Sequence, residues 1–461
     1  MHACFPRRPA ALACLAAVVL AWGAGTGDSL AQTVSAGDGR LALEARQMTE
    51  PMSLVDAVAM TLGRHPRIAQ ALAAVGRGRA DVDAARSVWL PTITYQGSLG
   101  PDSTSSSGNW EFNEGPIGGG ITVQQLLWDF GRSRGQVGAA SATEQQRRHE
   151  LAATADELAE QAALAFIEVS RHEALLRDTG RHVQSLEQLR ELIRLRADAG
   201  LSDRSDLLLA GVRVESARAE QIQVRTAHRS AVIELGNLTG AVAPRYLDPA
   251  GLIAGFPPGD EAPDLDNLPL VAAARAAERA TESRIDGLRA ERLPRLGLQV
   301  GYDRRHYSGF DATVRPDNSL TALVTVTGEL HRGSLRHELA GALEDRRAAR
   351  AVRDNVVLEA RRRILAARQQ IEGGEARIEA YRAQEEHAAR TSEIFLEEYK
   401  LGKRSLSDLL SAELEIYRAA SARIGAEHDV MRARVQHEAA VGSLRRSLGL
   451  AVLQQEEIAA P

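Results

Sequence analysis

The sequence predicts a mostly helical α+β fold, in which long antiparallel helical hairpins carry four short β-strands. Three observations predict it. Apolar residues recur every seven positions through two very long segments, at Val169, Leu176 and Val183 and again at Ile364, Ile371 and Ile378. Four short segments alternate apolar and polar residues with period two. The whole pattern occurs twice, about two hundred residues apart.

The duplication is visible residue by residue. Pro66 and Pro269 stand 203 positions apart, and so do Pro91 and Pro294. Between them Ala69/Ala272, Ala73/Ala276, Asp83/Asp286, Arg86/Arg289 and Leu90/Leu293 keep the same spacing. Further on, at a spacing of 202, come Gly200/Gly402, Ser205/Ser407, Asp206/Asp408, Leu207/Leu409 and Leu208/Leu410. A repeat of this length is too long for a solenoid unit and reads as a duplicated domain. The expected organisation is a signal peptide over 1–31, an N-terminal extension over 32–52, a first repeat over 53–240, a proline-rich linker over 241–265, a second repeat over 266–449 and a tail over 450–461.

Each repeat reads in the same order. A first helix, about 53–88 or 266–291, stops before a Leu-Pro pair, where helices tend to end. Two alternating strands follow. In 92–99 the apolar set is Ile93, Tyr95, Gly97 and Leu99; in 296–303 it is Leu296, Leu298, Val300 and Tyr302. Ile121 and Val123 alternate with Thr122 and Gln124, and Leu320, Ala322, Val324 and Val326 with Thr321, Thr325 and Thr327, Leu323 being the exception. The segments joining the strands, "PDSTSSSGNWEFNEG" and "RRHYSGFDATVRPDN", read as long polar loops. Helices over about 133–199 and 335–401 run to Gly200 and Gly402, and shorter ones return over about 205–238 and 407–448. Heptad spacing marks coiled-coil seams.

The first thirty residues read as an export signal: Arg7 and Arg8, an apolar run from Ala10 to Trp22, and small residues at Ser29 and Ala31 before Gln32. Both cysteines, Cys4 and Cys14, lie inside that segment. No later segment is apolar for the eighteen residues a spanning helix needs. The formal net charge of -5 offers no basic surface for nucleic acid. The His-Glu pairs at 149–150, 172–173, 337–338 and 437–438 lack the second histidine of a zinc protease. No cofactor, metal or catalytic group is expected, and the chain is not read as an enzyme.

Strands with one apolar and one polar face fit either a half-buried sheet or a membrane barrel. Four strands are too few to close a barrel, and open edges are not tolerated in lipid. A membrane reading therefore requires several copies to share one barrel, without fixing whether there are two, three or four.

Taken together, the duplication, the "LLWDFGRSR" segment at 126–134, the two Leu-Pro helix ends and the paired glycine turns resemble the TolC family of outer-membrane exit ducts. The resemblance spans nearly the whole mature length. It implies a homotrimer whose protomers supply a shared twelve-stranded β-barrel in outer-membrane lipid, continued into the periplasm by a helical tunnel. It implies a periplasmic adaptor and an inner-membrane ABC or RND pump as partners. The two glycine turns become the periplasmic tips. Tyr399, Arg404 and Asp408 match the family's gate residues, with Ser205 and Asp206 as the hydroxyl and carboxylate held across neighbouring coils. Gly200, Leu201, Ser202, Gly402, Lys403 and Ser405 become adaptor-docking positions.

The chain departs from the archetype where a second acidic ring would stand, because it has Ser411 there; Glu413 lies off that face. It also has His65-Pro66 where Asn-Pro is commoner, and "GELHRGSL" lacks the Asp-Phe-Gly of the first junction. Without the resemblance, Asp206 and Asp408 read as helix N-caps. The expected function is passive type I protein secretion. Multidrug efflux is the alternative, and a periplasmic coiled-coil scaffold without a pore is the alternative of another class.

Overall fold

The computed structural model describes residues 51–98, 102–106, 109–113, 117–240, 249–256, 264–306, 318–329 and 331–450. The export signal expected over 1–31 lies outside them, as does most of the expected tail.

The chain enters through α1 (Leu54–Arg64) and α2 (Pro66–Arg86). Ser53 and Asp56 form a capping box at the start of α1, with Asp56 N–H donating to Ser53 Oγ at 3.2 Å and Ser53 N–H donating to Asp56 Oδ2 at 3.1 Å. The single helix expected over 53–88 is therefore two. Pro66 lacks the N–H that a continuous helix needs, and it holds His65 in extended backbone at ψ 129°. His65 then serves as N-cap, its Nδ1 accepting from Arg67 N–H at 3.3 Å.

Strand β1 (Thr92–Ser98) follows, then a ribbon of β2 (Asp102–Ser106) and β3 (Asn109–Asn113), then β4 (Ile117–Trp128). The ribbon corrects the reading of "PDSTSSSGNWEFNEG" as loop. Strand β2 is wholly polar, so alternation of apolar residues could not reveal it, whereas Trp110 and Phe112 do alternate in β3, in a run of only five residues that is too short to mark a strand.

Next come α3 (Arg132–Asp198), α4 (Arg204–Thr239), the short α5 (Ala250–Ala254) and α6 (Pro269–Ala290). Helix α5 corrects the expectation of a linker without helix. It docks because Ile253 is buried and Arg434 donates to the carbonyls of Ile253 and Ala254 at 3.5 and 3.4 Å.

Strands β5 (Arg295–His306) and β6 (Asn318–Thr327) lead into α7 (Gly333–Lys400), α8 (Leu406–Val441) and a final turn α9 (Leu444–Ser447). Residues 304–306, expected in loop, extend β5. The helix expected to run to 448 stops at Gly442, whose φ of +77° ends it in the left-handed region.

The main sheet has the order β1-β4-β5-β6, antiparallel throughout. Its register aligns the apolar residues across all four strands: Tyr95, Ile121, Tyr302 and Leu320 in one row, and Ile93, Val123, Val300 and Ala322 in another. These side chains face solvent rather than protein. Tyr95 is 90% exposed and Val324 is 68% exposed. On the opposite face Gln124, Gln299 and Leu323 align. Threonines there bond carbonyls of their partner strands, as Thr325 Oγ1 does with Gly297 O at 3.2 Å.

The two long helices start from one point. Glu291, at the C-terminus of α6, accepts from Arg132 at the start of α3 (2.8 Å) and from Arg332 just before α7 (2.8 Å). Below this clamp α3 buries Phe166, Ile167, Leu158 and the alanines 155, 159, 162 and 163 completely, packed among its neighbours α1, α4 and α8. Val169 and Ile371, read as seam residues, are buried as well.

Candidate functional site

Two places carry the structural specialisation: the junction of sheet and helices, and the tips of the two hairpins.

At the junction, Asp129 is buried and accepts from Ser133 N–H (2.6 Å), Ser133 Oγ and Gly131 N–H (3.2 Å). These bonds satisfy donors at the start of α3, and they explain the Asp-Phe-Gly segment. Phe130 and Gly131 both have positive φ, 56° and 101°, so the chain turns sharply between β4 and α3. Phe130 packs edge-on against Trp128 at 6.1 Å. Trp89, Trp128 and Phe130 remain about half exposed in a cluster beside the apolar sheet face. Trp110 lies in β3, where side chains are outside the described set.

Burial pushes the Asp129 carboxyl up, but the bonds from Ser133 and Gly131 and the charge of Arg132 outweigh it, leaving its pKa below the ordinary value. The sign follows: a depressed folded pKa stabilises the fold above the unfolded value of about 4, and this stabilisation is lost as pH falls through the folded pKa. Asp129→Asn should therefore lower thermal stability at pH 7, with the gap to wild type closing below about pH 4. A gap that does not change with pH would show that the carboxylate charge is irrelevant there.

At the tips, each long helix ends in the same turn. Gly200 and Gly402 have φ of +75° and +73°. Leu201 N–H bonds Arg196 O at 2.8 Å, and Lys403 N–H bonds Glu398 O at 2.8 Å, the Schellman pattern that closes a helix on a left-handed residue. A Cβ at either glycine would meet no atom within 4 Å, so the left-handed backbone alone sets the requirement.

The return helices start differently from the N-cap reading. Ser405 caps α8, accepting from Asp408 N–H at 3.2 Å, and Asp203 occupies the cap position of α4. Asp206 and Asp408 thus sit inside the first turn, where carboxylates favour the helix dipole, and not at the caps.

The structure brings some expected gate residues together. Arg404 lies 3.9 Å from Asp408 and 3.0 Å from Glu398, with its guanidinium 4.1 Å from the centre of the Phe395 ring. Tyr399 is buried, its hydroxyl 3.4 Å from Ser202 and its ring beneath the Arg196 guanidinium at 5.1 Å. Arg196 also donates to Lys400 O at 3.0 Å, joining the two turns.

Within one protomer no described hydrogen bond links Ser205 or Asp206 to Tyr399 or Arg404. Glu398, Phe395 and Arg196 carry no signal in the sequence, because no spacing marks a partner that lies across a turn. Ser411, in place of a second acidic ring, turns its hydroxyl back to Ser407 O at 2.7 Å. Of the expected docking positions, Gly200, Leu201, Gly402, Lys403 and Ser405 are exposed, whereas Ser202 is half-buried against Tyr399 and Arg196. Leu401, which enters the second turn just before Gly402, is also 70% exposed.

Beneath the turns an apolar cluster joins both hairpins: Leu186, Leu189 and Ile193 of α3, Ala210 and Val214 of α4, Tyr399 of α7, and Leu406, Leu409 and Leu410 of α8. Among the described residues no group of three or more His, Cys, Asp or Glu side chains is arranged to hold a metal ion.

The sequence model of the outer membrane efflux protein family matches residues 57–241 and 264–443, most of the chain and both repeats. This chain belongs to that family. Its curated relatives include the outer membrane efflux protein BepC of Brucella suis, 25% identical over 386 residues that cover 81% of this chain and 82% of BepC. Protein CyaE of Bordetella pertussis is 23% identical over 327 residues, 67% of each chain. Among solved structures, the transmembrane channel CusC superposes with a TM-score of 0.75 at 15% identity, covering 84% of this chain and 91% of CusC. The outer membrane protein VceC of Vibrio cholerae superposes with a TM-score of 0.72 at 18% identity, covering 84% and 96%. The efflux-family chain therefore has the TolC-like channel fold, mostly helical with four strands in its main sheet. No described helix is long and apolar enough to cross a membrane.

Proposed function

We propose that this efflux-family chain is the passive exit duct of a tripartite export machine, a homotrimer in the outer membrane whose helices reach into the periplasm. The observation that supports it most is the sheet. All its strands are antiparallel, its apolar face is unburied, and β1 and β6 are left as unpaired edges. In lipid every backbone group needs a partner, so β6 of one copy must pair with β1 of the next. Three copies would bring four strands each.

Energy comes from an inner-membrane ABC or RND pump through a periplasmic adaptor, and the tips at Gly200–Ser202 and Gly402–Ser405 receive the adaptor. The cargo we propose is protein, by type I secretion. This reading takes the export signal expected over 1–31 to be removed, and both cysteines with it. Small-molecule efflux is the second reading, supported by the name of its relative BepC. Deleting the gene and measuring secreted protein alongside susceptibility to toxic compounds separates the two.

The expected gate gives a direct test of the duct. Three copies of Asp408 would form an acidic mouth, with Arg404 and Asp206 latching neighbouring coils. Asp206→Ala combined with Arg404→Ser should raise the conductance of the reconstituted channel in planar bilayers. Unchanged conductance in a folded trimer would remove the latch, and a water-soluble monomer that conducts nothing would leave the scaffold reading in its place.

A further inference from the structure

Just above the apolar tip cluster, one carboxylate joins three of the long helices. Glu413 of α8 accepts from Ser392 of α7 at 2.5 Å and from Ser185 of α3 at 2.7 Å. Helices α7 and α8 form one hairpin, and α3 belongs to the other. The two carboxylate oxygens are thus divided between the residue's own hairpin and its neighbour. Ser392 is only 4% exposed, so its hydroxyl has little access to water.

Farther from the tip along the α3–α8 seam come a ring stack and a hydroxyl–carboxylate bond. His182 stacks on Tyr417 at 4.5 Å with the rings 9° apart, and Ser421 Oγ donates to Asp178 Oδ2 at 3.2 Å. Between Glu413 and the turns the hairpins meet through the apolar cluster, whose attraction is non-directional and permits sliding, until Arg196 and Ser202 meet Lys400 and Tyr399 at the tip itself. Hydrogen bonds to a charged acceptor are directional and stronger. They fix the height of one helix against another, which packing alone does not.

We propose that Glu413 is a positioning residue of the gate, pinning α8 to α3 and α7 so that the tip rests in its closed register. It acts through its own helix. Asp408 lies five residues earlier on α8, a rise of about 7.5 Å, and Arg404 stands 3.9 Å from Asp408 and 3.0 Å from Glu398 of the same hairpin. Releasing Glu413 frees the second hairpin to move relative to the first and carries Asp408 and Arg404 with it. The inference rests on the channel reading above.

The test uses the full assembly with spin labels on cysteines introduced at Asp203 and Lys403, in labelled protomers diluted with unlabelled ones. Glu413→Ala should broaden and lengthen the distance between the two tips. In bilayers it should raise resting conductance by at least about tenfold, the weight of the single charged hydrogen bond from Ser185 that crosses between the hairpins. Ser185→Ala with Ser392→Ala should reproduce both changes, and it carries the test if Glu413→Ala fails to assemble. Glu413→Gln, which keeps the shape and one acceptor, should lie closer to wild type. Glu415→Ala, which loses only an exposed bond to Gln384, should change neither.

A purely structural role would lower the melting temperature and leave the tip distance alone. Unchanged distance and conductance in folded Glu413→Ala, or the same shift in Glu415→Ala, overturns the proposal. A wild-type protein that never conducts overturns the channel reading instead, and the label distances still decide whether Glu413 holds the hairpins.

Discussion

Val324→Arg is expected to keep the protein out of the outer membrane, whereas Gln299→Arg is expected to leave insertion intact and change which ions pass. Both residues lie mid-strand in the same sheet, and the register places them on opposite faces. Val324 aligns with Leu298 on the apolar face, and Gln299 aligns with Gln124 and Leu323 on the other. An arginine on a lipid-facing barrel position costs about 2–4 kcal/mol at the bilayer midplane. In a shared barrel each copy bears that cost. On the inner face the same charge stays in water and disfavours cations. Fractionation of the outer membrane reads the first outcome, and reversal potentials in a salt gradient read the second. If both variants insert equally, the exposed apolar face is not the lipid face.

Gly135→Ala is expected to destabilise the assembly, and Gly287→Ala to be tolerated, although the two glycines face each other across the α3–α6 crossing. A Cβ on Gly135 would stand 2.5 Å from the backbone N and Cα of Gly287 and 2.9 Å from Ser283 O, none of which can rotate away. Overpacking of this kind costs about 1–3 kcal/mol and occasionally more. A Cβ on Gly287 would meet its nearest neighbour, Arg132 O, at 3.5 Å, which is ordinary contact. Alanine also favours a helix interior by about 1 kcal/mol over glycine. Thermal unfolding of the purified assemblies should order the proteins with Gly135→Ala lowest. Equal melting temperatures would mean that the crossing relaxes freely.

The features legible in the sequence are those with a period or a breaker. Heptads at Val169 and Ile371 mark the long helices, alternation at Leu296–Tyr302 marks a strand, and Gly200 and Gly402 mark the turns. Pro66 is equally visible, yet its effect on the first helix is not, because an otherwise unbroken helical pattern outweighs one residue. Strand β2 is hidden by its polarity, and the alternation of Trp110 and Phe112 in β3 is too short to stand out without it.

The expected gate is legible only in outline. Its residues repeat a recognisable order, but the partners that occupy Tyr399 and Arg404 within the protomer, Ser202 and Glu398, depend on how the turns fold back. Glu413 lies off the Asp408 face, which gives it no place in the expected ring. That same displacement turns it inward, toward Ser185 and Ser392.

Glu291 gives the molecule a hinge point. Because Arg132 and Arg332 both grip this carboxylate, the two longest columns share a fixed upper end immediately beneath the sheet. Over a column of 67 residues, about 100 Å, a lean of only about 3° swings the free end by about 5 Å. In the proposed duct, a leverage of that size would let the far mouth widen while the strands above it stay undisturbed.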